Sequence, residues 1–217
     1  MDTANARDQM VDQQIRTWDI PEPQLLDLLR TLPREDFVPP AFRELAYSET
    51  EIPLGHGQHM MYPMIEGKLL QALQLEAEDE VLEIGTGSGY LTACLATLAR
   101  HVISVDIHQD FLDSAAANLE KLQIDNVTLK RHDAATDGPP DGLFDAIAVT
   151  GSLSTIDERL VLALKPGGRL FLVTGDAPVM EAKLITRDGA DGWQSRSLFE
   201  TSLGRLQNAG EPPVFQF

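Results

Sequence analysis

The decapeptide VLEIGTGSGY, residues 81–90, constrains this chain more than any other stretch. An apolar run ends at Ile84, glycines follow at 85, 87 and 89, and a helical pattern starts directly afterwards. Glycine at such positions lets the backbone turn sharply and come close to a ligand. The helix start then offers free N–H groups and the positive end of a dipole to an anionic group.

The surrounding sequence supplies the rest of a sheet. HVISVDI reads as a strand, and Phe111, Ala115, Leu119 and Leu122 recur at helical spacing. NVTLKRHD and FDAIAVT read as two more strands. Thr155 with Glu158 forms a capping box before a helix carrying Leu160 and Leu164, KPGG ends that helix, and RLFLVTG is the next strand. This alternation predicts an α/β fold: a doubly wound, mostly parallel, Rossmann-like sheet with helices on both faces. AKLITR and SLFETSL predict an antiparallel edge.

Residues 1–50 read as a helical cap. Met10, Gln14, Ile15 and Trp18 suggest one short amphipathic helix, and Leu25, Leu26, Leu28, Leu29 and Leu32 a second, opened by Pro21 and Pro23. Residues 51–68, EIPLGHGQHMMYPMIEGK, show no helical or strand period before Ile65. The expected organisation is one domain over 1–217: the cap, a substrate loop at 51–68 and a cofactor-binding core at 80–217.

Composition narrows the partners. Asp and Glu number 34 against 17 Lys and Arg, a net charge of −17, which disfavours nucleic acid. The single cysteine, Cys94, excludes an intrachain disulfide and a thiol-rich metal site. No run approaches the roughly 18 apolar residues of a membrane span. The polar start of the chain has no apolar leader. The expectation is a cytoplasmic protein without a membrane partner; its oligomeric state stays open.

Two acids complete a candidate site. Asp106 ends the second strand, where a carboxylate can accept hydrogen bonds from two ribose hydroxyls. Asp133 follows the third strand and can accept from the exocyclic amine of an adenine. The GxGxG spacing differs from the GxGxxG of dinucleotide sites and favours a nucleoside with a short charged arm.

VLEIGTGSGY, Asp106, HDA at 132–134 and FDAIAVT at 144–150 resemble the motifs of class I S-adenosylmethionine (SAM) methyltransferases. MVDQQIR at 10–16, REDFVPPAFRELAY at 34–47, and IPLGHGQ at 52–58 followed by Pro63 resemble bacterial protein-L-isoaspartate O-methyltransferases. The resemblance runs over roughly residues 9–175. It implies methyl transfer from SAM to the carboxylate of isoaspartyl residues in damaged proteins or peptides, with S-adenosyl-L-homocysteine as product and no metal. It also implies that Glu83, Gly85, Thr86, Gly87 and Gly89 line the methionine end of the donor. Asp106 would hold the ribose, Asp133 and Ala134 would face the adenine, Thr150 would lie near the same crevice, and Ile107 would also belong to the cofactor site.

The same resemblance puts Gln58, His59 and Met61 at the catalytic end, and there the chain departs from its relatives. Where the family reads Thr-Ile-Ser, this chain reads His59-Met60-Met61. A thioether replaces the serine hydroxyl; it accepts weakly and cannot donate. Losing one hydrogen bond to a charged group costs about 1.5–3 kcal/mol, which a protonated His59 could offset. Two other readings fit the altered loop: the same fold and cofactor with a small carboxylate or apolar acceptor, or a SAM-binding protein without transfer. In the tail, LFETSLGRLQNAG, Thr201 and Ser202 are candidates to reach the site.

Overall fold

The computed structural model describes residues 3–189 and 192–210. Its centre is a seven-stranded sheet in the order β5-β4-β3-β6-β7-β8-β9. These strands are β3 (Glu80–Ile84), β4 (His101–Asp106), β5 (Val127–Arg131), β6 (Phe144–Leu153), β7 (Leu164–Asp176), β8 (Val179–Asp188) and β9 (Gly192–Thr201). β3 to β7 pair in parallel, while β8 and β9 run antiparallel at one edge. The doubly wound sheet and its antiparallel edge are therefore as expected.

Alternate residues of the strands feed two cores on opposite faces. Val81, Val102, Ala146, Ala148, Phe171 and Val173 point into one, with α3 (Pro63–Leu73), α4 (Tyr90–Leu98) and the N-terminal segment packed over them. Leu82, Ile84, Val105, Ile147, Val149, Leu170 and Leu172 point into the other, against α7 (Glu158–Leu162). Strands buried on both faces read as continuous apolar runs, which is why DEVLEIG and FDAIAVT stand out in the sequence. Among the described residues no helix is long and apolar enough to cross a membrane.

Several local expectations need correction. The first amphipathic segment is α1 (Thr3–Gln9), continued by widened turns over Met10–Ile15 and a tight turn over Arg16–Trp18. Trp18 is 44% exposed and packs into neither core. The second helix is α2 (Pro23–Thr31), with Pro at its start as expected. Residues 51–68 are not aperiodic: Ile52–Gly55 (β1) and Gln58–Met60 (β2) form an antiparallel hairpin, and α3 starts at Pro63. The helix after β6 is capped by Asp157, whose carboxylate accepts from the Arg159 amide, rather than by a Thr155–Glu158 box. KPGG lies inside β7 rather than ending the helix, and Arg187 Nη1 from β8 donates to the carbonyls of Leu162 and Leu164 beside it.

The remaining helices place the site. α5 (Gln109–Lys121) follows β4, and the short α6 (Ala134–Asp137) follows β5. Both therefore begin at the carboxyl edge of the parallel strands, where open α/β sheets bind ligands.

Candidate active site

The turn after β3 is built around close approaches. The amides of Gly85 and Thr86 donate to the Val105 carbonyl at 2.8 and 3.2 Å, which pins the turn to β4. Thr150 Oγ1 donates to the Ile84 and Gly85 carbonyls at 3.0 and 2.8 Å and pins it to β6. Gly85 has φ +96°, and a Cβ there would lie 2.1 Å from Thr150 Oγ1. Gly89 has φ +81°, and its Cβ would meet Ala115 of α5 at 2.7 Å. Gly85 thus keeps the floor of the crevice flat, whereas Gly89 lets α4 start against α5.

Above this turn lie two adjoining cavities. The larger, about 190 Å³, is lined by Gln58, His59, Gly85, Gly87, Asp106, Ile107, Asp133, Ala134 and Thr150 among others. The smaller, about 40 Å³, is lined by Met60, Met61, Glu83, Thr86 and Ser88, and shares His59, Gly85, Gly87 and Thr150 with the first. Sequence-predicted residues from five separate segments therefore converge. Gly89 lines neither cavity, so its place is in packing α4.

The two acids at the larger cavity differ in their engagement. Asp106 Oδ2 accepts from the Gly87 amide at 3.0 Å and Oδ1 from the His108 amide at 2.9 Å. An ionised carboxylate offers about four acceptor sites, so capacity remains on both oxygens. Asp133 is more fully engaged. It accepts from the amides of Ala135 and Thr136, from Thr136 Oγ1, and from Asn208 Nδ2 at 2.7 Å.

Glu83 sits beneath the smaller cavity and is fully buried. Its Oε2 accepts from the hydroxyls of Thr92 and Ser104, while Oε1 has no hydrogen-bond partner. Burial pushes its carboxyl up to about 8, against the lowering effect of those two hydroxyls. A buried orphan oxygen beside a glycine turn fits a cationic group such as the ammonium of a donor's amino-acid tail. The remaining acceptor capacity of Asp106 fits a pair of hydroxyls. On both counts the residues present suit an adenosyl-methionine-like molecule.

Sequence reasoning missed the groups that hold the segment after the hairpin. Arg34 is fully buried; its guanidinium pairs with Glu66, donates to the Ala46 carbonyl at 2.8 Å and to the Met61 carbonyl at 2.7 Å, and lies over the Tyr90 ring. Burial raises the Glu66 carboxyl to about 7 despite that pairing. Nothing near Arg34 in the chain announces a partner 32 residues away. The tail contributes too, through Leu203 to Gln207 rather than Thr201 or Ser202. Ser152 stitches it in place, accepting from the Leu206 amide and donating to the carbonyls of Gly204 and Leu203.

Known proteins resemble this chain in sequence and in fold. The sequence model of the protein-L-isoaspartate(D-aspartate) O-methyltransferase family matches residues 5–201. Protein-L-isoaspartate O-methyltransferase 1 of Rhodopseudomonas palustris is 38% identical over 189 residues, covering 87% of this chain and 77% of that protein. The Trichlorobacter lovleyi protein-L-isoaspartate O-methyltransferase is 38% identical over 199 residues, 92% of this chain and 90% of the relative. A Plasmodium falciparum structure, described as a protein-L-isoaspartate O-methyltransferase in complex with S-adenosyl-L-homocysteine, superposes with a TM-score of 0.80. It covers 93% of this chain and 98% of its own at 22% identity, a likeness of fold.

Proposed function

The chain belongs to the protein-L-isoaspartate(D-aspartate) O-methyltransferase family, and from that premise we propose that it transfers a methyl group from SAM to the carboxylate of isoaspartyl residues in proteins or peptides. The observation that carries this reading is the convergence of Asp106, Gly85, Gly87 and Glu83 from the core with Gln58, His59 and Met61 from the hairpin around one crevice.

When bound, the donor supplies a methyl made electrophilic by its sulfonium. The protein's own tasks are then simple. A carboxylate is already a nucleophile at neutral pH, so the site needs no general base. It must hold oxygen, carbon and sulfur in line and keep water out. In the proposed assignment Asp106 and Ile107 bind the ribose, Asp133 and Ala134 face the purine, and Glu83, Thr86 and the turn glycines hold the amino-acid tail. Thr150 fixes the turn from below. Gln58, His59 and Met61 form the wall from which the acceptor approaches. Met60 and Met61, both buried, close the smaller cavity with thioethers and exclude water there.

The proposal treats residues 1–217 as one domain, because the N-terminal segment and the sheet share one core. It sets the enzyme's work in the cytoplasm, where a single buried thiol at Cys94 needs no disulfide partner.

One observation favours a second reading. The thioether of Met61 occupies the position where the family offers a hydroxyl, which suits a different, less polar acceptor. A single experiment separates the two. Labelled SAM is supplied with an isoaspartyl peptide and with its aspartyl twin. Labelling of the first alone supports isoaspartyl transfer. Donor binding without labelling of either peptide moves the assignment to another acceptor.

A further inference from the structure

At the rim of the crevice, where His108 lines the larger cavity, lies a cluster of donors to which the proposed methyl transfer gives no part. His56 occupies the hairpin turn between β1 and β2, held at φ +52°. His108 and Asp110 flank the first residue of α5. The fold thus brings residues 54 apart in sequence into contact. His56 Nε2 lies 2.9 and 3.1 Å from the two carboxylate oxygens of Asp110. The His108 ring stacks on the His56 ring with 3.9 Å between centres. One nitrogen from each imidazole and one oxygen from Asp110 all lie within 4.8 Å of one another.

We propose that His56, His108 and Asp110 form a binding site for a divalent transition ion of the zinc class, which clasps the hairpin turn to the start of α5. Two imidazoles and one carboxylate are the nitrogen and oxygen donors that such borderline ions take, with water completing the shell. Zinc–ligand bonds of about 2.0–2.1 Å set tetrahedral ligands roughly 3.4 Å apart, and the two rings, now stacked nearly parallel, turn out of the stack to aim one nitrogen each at the ion. An ionised carboxylate only accepts, so a proton on His56 Nε2 now joins that ring to Asp110. The ion takes the place of this proton between the same two atoms, and the His56 ring stays a neutral imidazole with its proton on Nδ1.

The surroundings resemble a supporting shell. Gln207 Nε2 donates to the His56 carbonyl at 3.1 Å, and Gln207 Oε1 lies 2.8 Å from His108 Nε2. Phe111 sets its edge against both rings. Such partners orient ligating imidazoles. The net charge of −17 raises the local concentration of cations. The ion takes no part in methyl transfer. It braces the turn that leads into Gln58 and His59, at a cavity lined by His108.

The test titrates metal-stripped, full-length protein with zinc chloride by calorimetry. The expected result is one saturable site per chain with micromolar affinity, and a melting temperature that rises with zinc. His108→Asn and Asp110→Asn are each expected to weaken binding by about tenfold or more. His101→Asn, at the far end of β4, is expected to change nothing. Cobalt(II) supplies a readout without any variant: visible bands of a low-coordinate nitrogen–oxygen site are expected. Absence of saturable uptake overturns the proposal. So does uptake that survives both substitutions, or a cobalt spectrum that matches the free aquo ion. None of these readouts needs methyl transfer, so failure here and failure of the proposed activity are distinguishable.

Discussion

The two walls of the crevice, to which the proposed function gives the donor and the acceptor, are built on different principles. The proposed donor side stands on the carboxyl ends of β3, β4 and β6, where β3 is paired through Ile84 on both flanks. The acceptor side is a hairpin with one strand of four residues and one of three, and no place in the main sheet. It is held by side chains: Arg34 on the Met61 carbonyl, His56 on Asp110, and Gln207 on the His56 carbonyl. A surface fixed by backbone geometry tolerates little change, whereas one held by side chains can alter its chemistry while the fold stays put. Glycines at 85, 87 and 89 beside a rewritten His59-Met60-Met61 are the sequence counterpart of that contrast.

The largest effect expected on the donor side concerns pH. Glu83 has a folded value of about 8, against 4.5 for the free carboxyl, because burial disfavours its charge. Between those values the folded chain keeps a proton that the unfolded chain has released. Stability is therefore greatest at the acidic end of that window and falls as pH rises, by up to about 1.4 kcal/mol per unit. Glu66 adds to the fall up to about pH 7. Denaturant unfolding between pH 5 and pH 8 is expected to show the decline, with a shallower slope in Glu83→Gln. An equal slope in that variant would remove Glu83 as its source.

Next in size is Gly85→Ala. The new Cβ would strike Thr150 Oγ1, and the left-handed φ resists any side chain. Displacement of the turn by about an ångström is expected to lower kcat/KM by about 100-fold. Donor affinity should fall with it, read by calorimetry with S-adenosyl-L-homocysteine. Unchanged donor binding would mean that the turn is softer than its two-sided pairing implies.

The acceptor side should respond in the opposite sense. Met61→Ser restores the family's hydroxyl, and His59→Thr with Met61→Ser restores more of the pattern. One regained hydrogen bond to a carboxylate, about 1.5 kcal/mol, predicts roughly a tenfold gain in isoaspartyl turnover. Donor affinity should stay constant, since neither residue belongs to the turn. No gain in turnover would mean that the thioether at Met61 does not limit isoaspartyl transfer, and a coupled change in donor affinity would erase the separation of the two sides.

How much of this was readable in advance follows the same division. β3, β4 and β6 are buried on both faces, so their apolar runs and the glycines at their ends are local signals. The hairpin was missed because four- and three-residue strands cannot show a period, although Gly55, His56 and Gly57 all adopt positive φ and mark its turn. Arg34 gave no signal: an arginine in a polar-looking RED triplet is buried only because Glu66 and three carbonyl or ring partners come from elsewhere in the chain. The Thr155–Glu158 pattern misled because Asp157 is the stronger acceptor and stands immediately before the helix. Asp106 and Asp133 were placed at the crevice by strand position alone, but their present hydrogen-bond partners depend on contacts that no local pattern encodes.

The smallest expected effect lies where the tail meets the donor side. Three of the four hydrogen bonds to Asp133 come from the first turn of α6 and travel with it. The fourth, from Asn208, comes from the tail. With about four acceptor sites on a carboxylate, a purine amine can be received only where a donor withdraws, and Asn208 is the one that can withdraw without unwinding a helix. Asn208→Ala removes this competitor. Donor affinity is then expected to rise about threefold, near the 0.5–1.5 kcal/mol net worth of one hydrogen bond, while Met61→Ser leaves it unmoved. Calorimetry on the two variants reads both. A fall in affinity for Asn208→Ala would instead make the tail a third wall of the donor site, and the division into two sides would have to become three.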